Sequence, residues 1–280
     1  MMHHVLGNLH DTELWASYLP RVPKPMIRLA IAGVALAGGA GLGLASLPVL
    51  RAVGITLGAL LILPALAAGI FAVFKWRYAL SRRQQILDKV AWRGDESVLD
   101  VGCGAGILLN GAAKRIKRGK AIGIDIWATG GGGGNYRLLM DSARAEGVAD
   151  RIEFKQADAR QMPFDDQAFD VVMSSGALHH ISHNREDHAR AVSEMARVLK
   201  PGGRIVLWDI AHMIDATAGK LRETGIEAET QAAGSYLGFE MRLLAGIKTG
   251  QAQAPLAHSD DAHEHSHPHS HADHAFISYH

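Results

Sequence analysis

The stretch "VLDVGCGAGILL" (Val98–Leu109) joins an apolar run to a loop that holds three glycines, each two residues apart. Glycine lacks a Cβ and readily adopts positive φ, so a loop built on Gly102, Gly104 and Gly106 can lie against a ligand. An apolar strand followed by such a loop is typical of ligand sites in parallel sheets. The spacing differs from the G-x-G-x-x-G of dinucleotide-binding proteins, because Ile107 stands where the last glycine would be. This disfavours a nicotinamide-dependent oxidoreductase.

Short apolar runs alternate with amphipathic stretches through the middle of the chain, which predicts strands and helices in turn. Five strands are predicted at Ser97–Val101, Lys120–Ile126, Arg151–Lys155, Phe169–Ser174 and Arg204–Asp209. Helices are predicted at Ala105–Ile116, Asn135–Glu146, Arg185–Leu199 and Met213–Thr224. Two further strands, Glu227–Ala233 and Phe239–Thr249, have no room for a helix between them and predict an antiparallel hairpin. The expected fold class is α/β, a doubly wound, mostly parallel, seven-stranded sheet of Rossmann-like type.

An acidic residue follows at the end of the second predicted strand. Asp125 lies 19 residues after Gly106, and its carboxylate can accept hydrogen bonds from both hydroxyls of a ribose. This feature fits a nicotinamide cofactor and S-adenosylmethionine (SAM) equally. The glycine spacing and the motifs farther along the chain therefore have to separate the two.

Four motifs follow one another in the middle of the chain: "VLDVGCGAG", "IGIDIW", "QADARQMPFDDQAFDVVMSSGALHHI" and "EMARVLKPGGRIVLWDI". In this order they resemble the class I SAM-dependent methyltransferases. They are most similar to the branch typified by the quinone-biosynthesis C-methyltransferases and their small-molecule relatives. The resemblance covers about Arg82 to Lys248. It implies an enzyme that transfers the methyl group of S-adenosyl-L-methionine to a small or lipid-soluble acceptor.

The same resemblance implies a set of cofactor-binding residues. They are Asp100, Gly102, Gly104, Gly106, Asp125, Ile126, Asp158 and Ala159. By the family pattern, the glycine loop holds the methionine part of SAM, and Asp125 accepts hydrogen bonds from the ribose hydroxyls. Asp158 accepts a hydrogen bond from the adenine amino group, and Ile126 or Trp127 lies beside the adenine ring. Ordinary structural roles stay open: a turn cap for Asp100, a helix cap for Asp125 and a loop acid for Asp158.

Candidate catalytic residues follow the fourth and fifth predicted strands. His179 and His180 lie where the acceptor pocket of the family begins, and imidazole titrates near neutral pH. Asp209 and His212, just after the fifth strand, face the same mouth. A base is needed only if the acceptor must lose a proton, so lining the pocket is an alternative role for both neighbouring histidines. The acceptor pocket is expected to be open, or completed by the helix near Arg82–Trp92.

Two uncharged runs precede this block, Leu29–Leu50 (22 residues) and Ala52–Phe74 (23 residues). About 20 apolar residues span a hydrocarbon core as a helix, so the runs predict a transmembrane helical hairpin that turns near Ser46–Arg51. Basic residues flank its outer ends at Arg21, Lys24, Arg28, Lys75, Arg77, Arg82 and Arg83. The positive-inside rule then predicts a multi-pass protein of the inner (cytoplasmic) membrane with a cytoplasmic catalytic domain. Two helices buried in a soluble protein are the alternative.

The chain ends in a histidine-rich stretch, in which eight of the 16 histidines lie between His258 and His280. Few large apolar residues occur there, which predicts disorder. Alternating imidazoles suit Zn²⁺, Ni²⁺ or Cu²⁺, so a weakly bound divalent metal is one expectation and a solvated tail without a role is the other. The candidate metal ligands are His263, His265, His267, His269 and His271.

These features divide the chain into five predicted parts. They are a cytoplasmic segment (1–28), two transmembrane helices (29–74), a juxtamembrane helix and linker (75–96), a methyltransferase domain (97–249) and the histidine-rich tail (250–280). The net charge of +1 gives no reason to expect nucleic acid as a partner. The competing hypothesis is a non-catalytic membrane protein of the same fold, which acts through a metal-binding or interaction tail. The oligomeric state stays open.

Overall fold

One mixed sheet with helices on both faces accounts for most of the described chain. The computed structural model describes residues 48–127, 136–181 and 184–249. The strands are β1 (Ser97–Val101), β2 (Lys120–Asp125), β3 (Ile152–Gln156), β4 (Phe169–Ser175), β5 (Leu199–Ile210), β6 (Ile226–Tyr236) and β7 (Phe239–Lys248). The helices are α1 (Pro48–Leu87), α2 (Ile107–Ala113), α3 (Tyr136–Ala145), α4 (Leu178–Ile181), α5 (Arg185–Val198) and α6 (Ala211–Glu223).

The strand order is β3-β2-β1-β4-β5-β7-β6. The first five strands in that order are parallel, and β7 runs antiparallel to both of its neighbours. The order reverses between β1 and β4, which opens a crevice at the carboxyl ends of these strands. The predicted doubly wound sheet and its terminal hairpin are confirmed. The fifth strand is longer than predicted, because "LKPGG" belongs to β5, beginning at Leu199, instead of forming a turn before it.

The central parallel strands β1 and β4 are buried on both faces because helices cover each side of the sheet. On one face, Val98 packs in a core with side chains of α1, α2 and α3, among them Leu109 and Leu139. On the other face, Leu99 packs in a second core that includes Met195 of α5 and Leu221 of α6. The alternation along β1 therefore divides the apolar residues between two cores, and it leaves the strand ends for the site.

Helix α1 has 40 residues, which corresponds to a length of about 60 Å. Within the described part of the chain, one helical segment, Ile62–Leu87, is long and apolar enough to cross a membrane. Its last turn is in the sheet domain, since Ile86 and Leu87 are buried in the first core. Within this segment, residues 62–74 carry no charge.

The N-terminal predictions are tested only in part. The helix does not end at Phe74, as the predicted boundary has it, but continues through the juxtamembrane region to Leu87. Arg51 is inside α1 and not in a turn, so the residues 48–51 of the predicted hairpin turn are helical. The described residues do not support the transmembrane hairpin, because the first run lies outside them except for 48–50. The five consecutive glycines before α3 (130–134) and the histidine-rich tail also lie outside the described residues.

Candidate active site

The carboxyl ends of neighbouring strands bring three predicted acids to one edge of the sheet. Asp100 lies in β1 opposite Met173 of β4, and Asp125 is the last residue of β2. Asp209 lies near the end of β5, next to Trp208, which is paired with Ser175 of β4. Because these strands are parallel, their ends meet at the crevice where ligands of such sheets bind.

The three glycines of the loop have positive φ values, of 71°, 52° and 83°. They serve different purposes. A Cβ at Gly102 would lie 2.3 Å from the Cβ of Ala177, and one at Gly106 would lie 2.7 Å from Cδ1 of Leu139. These two glycines allow the loop to pack against its neighbours. A Cβ at Gly104 would lie more than 4 Å from the described residues other than its chain neighbours, so this glycine leaves open space among them at the crevice.

Asp125 holds the glycine loop and the following turn together. Its Oδ2 accepts a hydrogen bond of 2.9 Å from the backbone N–H of Gly104, and its Oδ1 accepts one of 2.9 Å from that of Trp127. Each carboxylate oxygen has a second lone pair, so the side chain can also accept bonds from a ligand. The structural and the ligand-binding roles predicted for this acid are therefore compatible.

Asp100 is buried, with a relative exposure of 1%, and its Oδ2 has no hydrogen-bond partner in the described part of the chain. Burial raises the pKa of this carboxyl group to about 7, against the effect of a bond from the backbone of Leu109, and the charge of Asp125 raises it further. A buried polar atom that lacks a partner is costly in a folded protein. The atom is therefore positioned for a ligand that donates a hydrogen bond or carries positive charge.

The two candidates for contact with the adenine ring differ in position. Trp127 has a positive φ of 40°, and its indole ring stacks on Phe154 of β3 with the centroids 3.8 Å apart. Ile126 is 48% exposed. The aromatic ring is thus part of the wall next to Asp125, whereas the aliphatic side chain is accessible beside it. Both stay candidates for the ring contact.

Asp158 follows β3 and forms a close ion pair with Arg160. Its Oδ2 lies 2.6 Å from Nη2 of Arg160, and its Oδ1 also accepts a bond from the backbone N–H of that residue. Arg160 reaches Asp187 of α5 as well, at 3.1 Å. Ala159 between them is buried. A contact between Asp158 and an adenine amino group stays a prediction, in which the carboxylate would be shared with this arginine.

His179 and Asp209, 30 residues apart in sequence, form a hydrogen-bonded pair. Nδ1 of His179 lies 2.7 Å from Oδ1 of Asp209, whose side chain is fully buried. The backbone N–H groups of Leu178 and Ile210 donate to the same carboxylate. Because the Asp209 carboxylate accepts a hydrogen bond from Nδ1 of His179, the neutral imidazole carries its proton on Nδ1. Its Nε2 then has the lone pair of a base. The ring is 32% exposed, which leaves that atom accessible.

His180 lies beside this pair, with its ring centroid 4.0 Å from that of His179. Partial burial lowers the pKa of His180, and the neighbouring imidazole lowers it further. No carboxylate within hydrogen-bond distance orients its ring among the described residues. Of the two predicted histidines, His179 therefore has the geometry of a base, and His180 has that of a neutral neighbour.

Residues 99–207 match the family model for a methyltransferase domain. The similarity is to that segment and leaves the rest of the chain unmatched by the model. The match contains β2, β3 and β4, most of β1 and β5, and the glycine loop with Asp100 before it. It supports the predicted enzyme class.

Named relatives agree with this assignment. The ubiquinone/menaquinone biosynthesis C-methyltransferase UbiE of Pseudomonas fluorescens is 35% identical over 47% of this chain and 48% of its own length. The 27-O-demethylrifamycin SV methyltransferase of Amycolatopsis mediterranei is 31% identical over 48% of this chain and 47% of its own. The chain thus spans about half the length of the curated relatives it matches. The crystal structure of the [4+2]-cyclase SpnF superposes with a TM-score of 0.52, at 19% identity, over 60% of this chain and 81% of the other, which shows the fold alone.

The sequence analysis gave the helix near Arg82–Trp92 as one alternative for completing the pocket, but it identified neither Tyr78 nor the contact of Arg82 with Trp208. Tyr78 and Arg82 of α1 reach the carboxyl end of β5, where the guanidinium of Arg82 lies over the ring of Trp208, 4.5 Å from its centroid. The signal that could have found them is their spacing of four residues, which places both on one face of a helix. The sequence could not predict which elements this face of the helix contacts in the folded protein.

The predicted metal ligands of the histidine-rich tail lie outside the described residues. Within the described residues, no group of three or more His, Cys, Asp or Glu side chains is placed to hold a metal ion.

Proposed function

We propose that this chain is a membrane-anchored enzyme that transfers the methyl group of SAM to a small or lipid-soluble acceptor. One observation carries the proposal: a single sheet edge combines a glycine loop open at Gly104 with the hydrogen-bonded pair of His179 and Asp209. The first feature suits a cofactor that lies against the backbone, and the second suits the removal of a proton.

The residues at the edge fit SAM. The buried Oδ2 of Asp100 is available to a donor or a cation, which the methionine part of SAM offers. Gly104 leaves open space beside it, and Asp125 fixes the loop while keeping lone pairs for the ribose hydroxyls. These three residues would hold the cofactor between β1 and β2.

When bound, SAM supplies a methyl group on a sulfonium, which is already an activated leaving group. The protein then has to hold the acceptor in line with that methyl group, which is catalysis by positioning. His179 would accept the acceptor's proton at Nε2, while its Nδ1–H donates to Asp209. The proton moves from the acceptor to the imidazole, and the atom that loses it forms the bond to the methyl group. The buried Asp209 carboxylate stabilises the imidazolium that results.

The membrane anchor is the part of α1 formed by residues 62–74, which carries no charge and whose described side chains are mostly exposed. Basic residues follow it at Lys75, Arg77, Arg82 and Arg83, which by the positive-inside rule favours the cytoplasmic side of the inner membrane for the catalytic domain. An anchor raises the local concentration of acceptors dissolved in the membrane. The similarity to a methyltransferase of quinone biosynthesis supports a quinone-like ring as one such acceptor.

The test uses the full chain in maltoside micelles. Calorimetry is expected to give micromolar affinity for SAM and no binding of NAD, with Asp125→Asn weakening SAM binding at least 10-fold, about the value of a hydrogen bond to a charged group. The exposed Asp150→Asn is the matched control. Tritiated SAM should then label a lipid extract of the source membranes. A folded protein that binds no SAM would sink the proposal, and SAM binding without transfer to any extract would favour the non-catalytic alternative.

A further inference from the structure

Tyr78 and Arg82 are four residues apart in α1, and both side chains point to the same aromatic cluster. The guanidinium of Arg82 lies over Trp208 at 4.5 Å from the ring centroid. The ring of Tyr78 stacks on Tyr236 at 4.9 Å and meets Trp208 edge-on at 6.3 Å. Residues of the anchor helix, of β5 and of β6 thus share one partly buried surface at the carboxyl ends of the strands.

The polar atoms of this cluster lack partners within the described ranges. The hydroxyl group of Tyr78 is buried and has no hydrogen-bond partner there. The guanidinium of Arg82 forms no hydrogen bond and no ion pair with any described residue, whereas that of its neighbour Arg83 pairs with Glu146 through two bonds. A partly buried guanidinium without an anion, beside a buried hydroxyl without an acceptor, is an unfavourable arrangement unless a ligand completes it.

The cluster adjoins the catalytic pair. The backbone N–H of Gly176 donates to the carbonyl of Trp208 at 2.7 Å, and a Cβ at Gly176 would lie 3.7 Å from the indole ring. Gly176 is three residues before His179 in the loop that follows β4. Arg82 is also close enough to Asp209 to experience its charge. The side chains of α1 therefore line the acceptor side of the site, apart from the glycine loop.

We propose that Tyr78 and Arg82 form an oxyanion-binding subsite, so that the methyl acceptor is held by a carboxylate or phosphate group. The planar guanidinium offers a fork of donors that matches such groups, and the tyrosine hydroxyl adds a further donor. The rings of Trp208 and Tyr236 would contact a flat or apolar part of the same molecule. That the bound molecule is the methyl acceptor rests on the proposed function, but anion binding at the subsite can be tested without methyl transfer.

Two sources of the anion share this chemistry: a charged group on a small acceptor, and the phosphate of a lipid headgroup. The full chain in maltoside micelles, which contain no phosphate, is titrated with 3,4-dihydroxybenzoate, with its neutral methyl ester and with dihexanoyl phosphatidate. Tighter binding of the benzoate than of its ester supports a soluble anionic acceptor. Tighter binding of the phosphatidate than of the benzoate supports a headgroup. Failure of both anions to bind more tightly than the ester would overturn the subsite.

Matched variants assign the binding to the two residues. Arg82→Gln is expected to lose about 10- to 100-fold in affinity for the preferred anion and none for the ester, and Tyr78→Phe about 3- to 10-fold. The exposed Arg77→Gln makes the same charge change on the same helix and is expected to have no effect. An equal loss in Arg77→Gln and Arg82→Gln would overturn the assignment, because it would indicate attraction to overall charge.

A purely structural role makes a different prediction. If Arg82 only packs on Trp208, Arg82→Gln should lower the unfolding temperature and leave the preference for anion over ester unchanged. If it binds an anion, the unligated variant should unfold at the wild-type temperature or above it, since an unpaired partly buried charge is removed. Arg82→Lys, which keeps the charge, should recover part of the binding. SAM affinity, measured on the same samples, separates a failure of this subsite from a failure of the proposed function.

Discussion

Nδ1 of His179 and Oδ1 of Asp209 are 2.7 Å apart, and two backbone N–H groups hold the same buried carboxylate. Three donors converge on one side chain, so Asp209 is fixed and in turn fixes the imidazole ring. The pair connects α4, which follows β4, with the carboxyl end of β5. The acceptor side of the site is therefore built from two strand ends that are distant in sequence and adjacent in the sheet.

The pair predicts a specific pattern of activity losses. His179→Gln is expected to reduce methyl transfer to a protic acceptor by about 100-fold or more, which is the usual contribution of a general base. Asp209→Asn should cause a similar loss, because an amide cannot accept all three hydrogen bonds. The double variant should be no worse than His179→Gln alone, since the two residues act as a unit. Single-turnover rates with tritiated SAM give the measurement, and additive losses would contradict the pairing.

His180 supplies the control for this pattern. His180→Gln removes a neighbouring imidazole that has no carboxylate partner among the described residues, so methyl transfer should fall less than about 3-fold, well below the loss expected for a general base. If His180→Gln reduces methyl transfer more than His179→Gln does, the base is His180, and the bond of Asp209 to His179 has another role.

The glycine loop predicts a separation of binding from stability. Gly104 and Gly202 have positive φ values of 52° and 74°, and a Cβ at either would contact none of the residues that the structure describes, apart from its chain neighbours, within 4 Å. Substitution by alanine should therefore cost each a similar backbone strain of about 1 kcal/mol. Only Gly104→Ala is expected to weaken SAM binding, by at least 10-fold, because its Cβ would enter the cofactor's space. Calorimetry and thermal unfolding on both variants check this, and equal SAM affinities would place the cofactor elsewhere.

Much of the sheet could be predicted from the sequence because burial on both faces leaves a local signature. The apolar runs of β1 and β4 were assigned to within one residue, since helices on both sides require such runs. The start of β5 was missed, because "LKPGG" has the composition of a turn and its extension depends on pairing of Leu199 with Phe169. Local composition does not contain that long-range contact.

The site was predicted less completely, for a related reason. The glycine loop and Asp125 each occur in a short local motif, and the sequence identified both. The bond between His179 and Asp209 and the approach of Arg82 to Trp208 join residues of different elements, whose distances follow from the assembled sheet. Residue type alone indicated a candidate base but could not choose between two adjacent histidines. The choice requires the position of the buried carboxylate.

The raised pKa of Asp100, about 7 in the folded protein against 3.8 ordinarily, predicts how stability depends on pH. The folded protein retains this proton between about pH 4 and pH 7, whereas the unfolded chain releases it. The contribution of Asp100 to stability is therefore fully present below about pH 4 and is lost as the pH rises to about 7. Asp100→Asn should remove this part of the pH dependence, as measured by unfolding temperatures from pH 4 to 8. An unchanged profile would contradict the raised pKa.

The same group predicts proton release when SAM binds. A cation near Asp100 favours the ionised form, so SAM binding should release close to one proton near pH 6 and almost none above pH 8. Calorimetry at each pH in two buffers of different ionisation enthalpy counts the protons. Affinity should rise with pH up to about 7 and then level off. Proton uptake in place of release would rule out a cationic contact at this carboxylate.

The last prediction concerns the attachment of α1 to the sheet domain. Nη1 of Arg83 lies 2.9 Å from Oε2 of Glu146, and Nζ of Lys114 lies 2.8 Å from the same oxygen, while the Glu146 side chain is fully buried. Removing one partner of a buried ion pair leaves charge uncompensated. Arg83→Met is therefore expected to destabilise the full chain by about 2 kcal/mol, less than for an isolated pair because Lys114 remains.

Urea unfolding of the full chain in maltoside micelles measures this loss, and exposed Arg77→Met is the matched control. The double variant Arg83→Met with Glu146→Leu should recover much of the stability, because it replaces the pair by apolar side chains of similar size. Trypsin should also cut Arg83→Met faster between residues 88 and 96, where the chain leaves α1, because a loosened helix exposes this connection. If Arg83→Met and Arg77→Met unfold alike, the ion pair does not hold α1 on the domain, and the apolar contacts of Ile86 and Leu87 alone attach it.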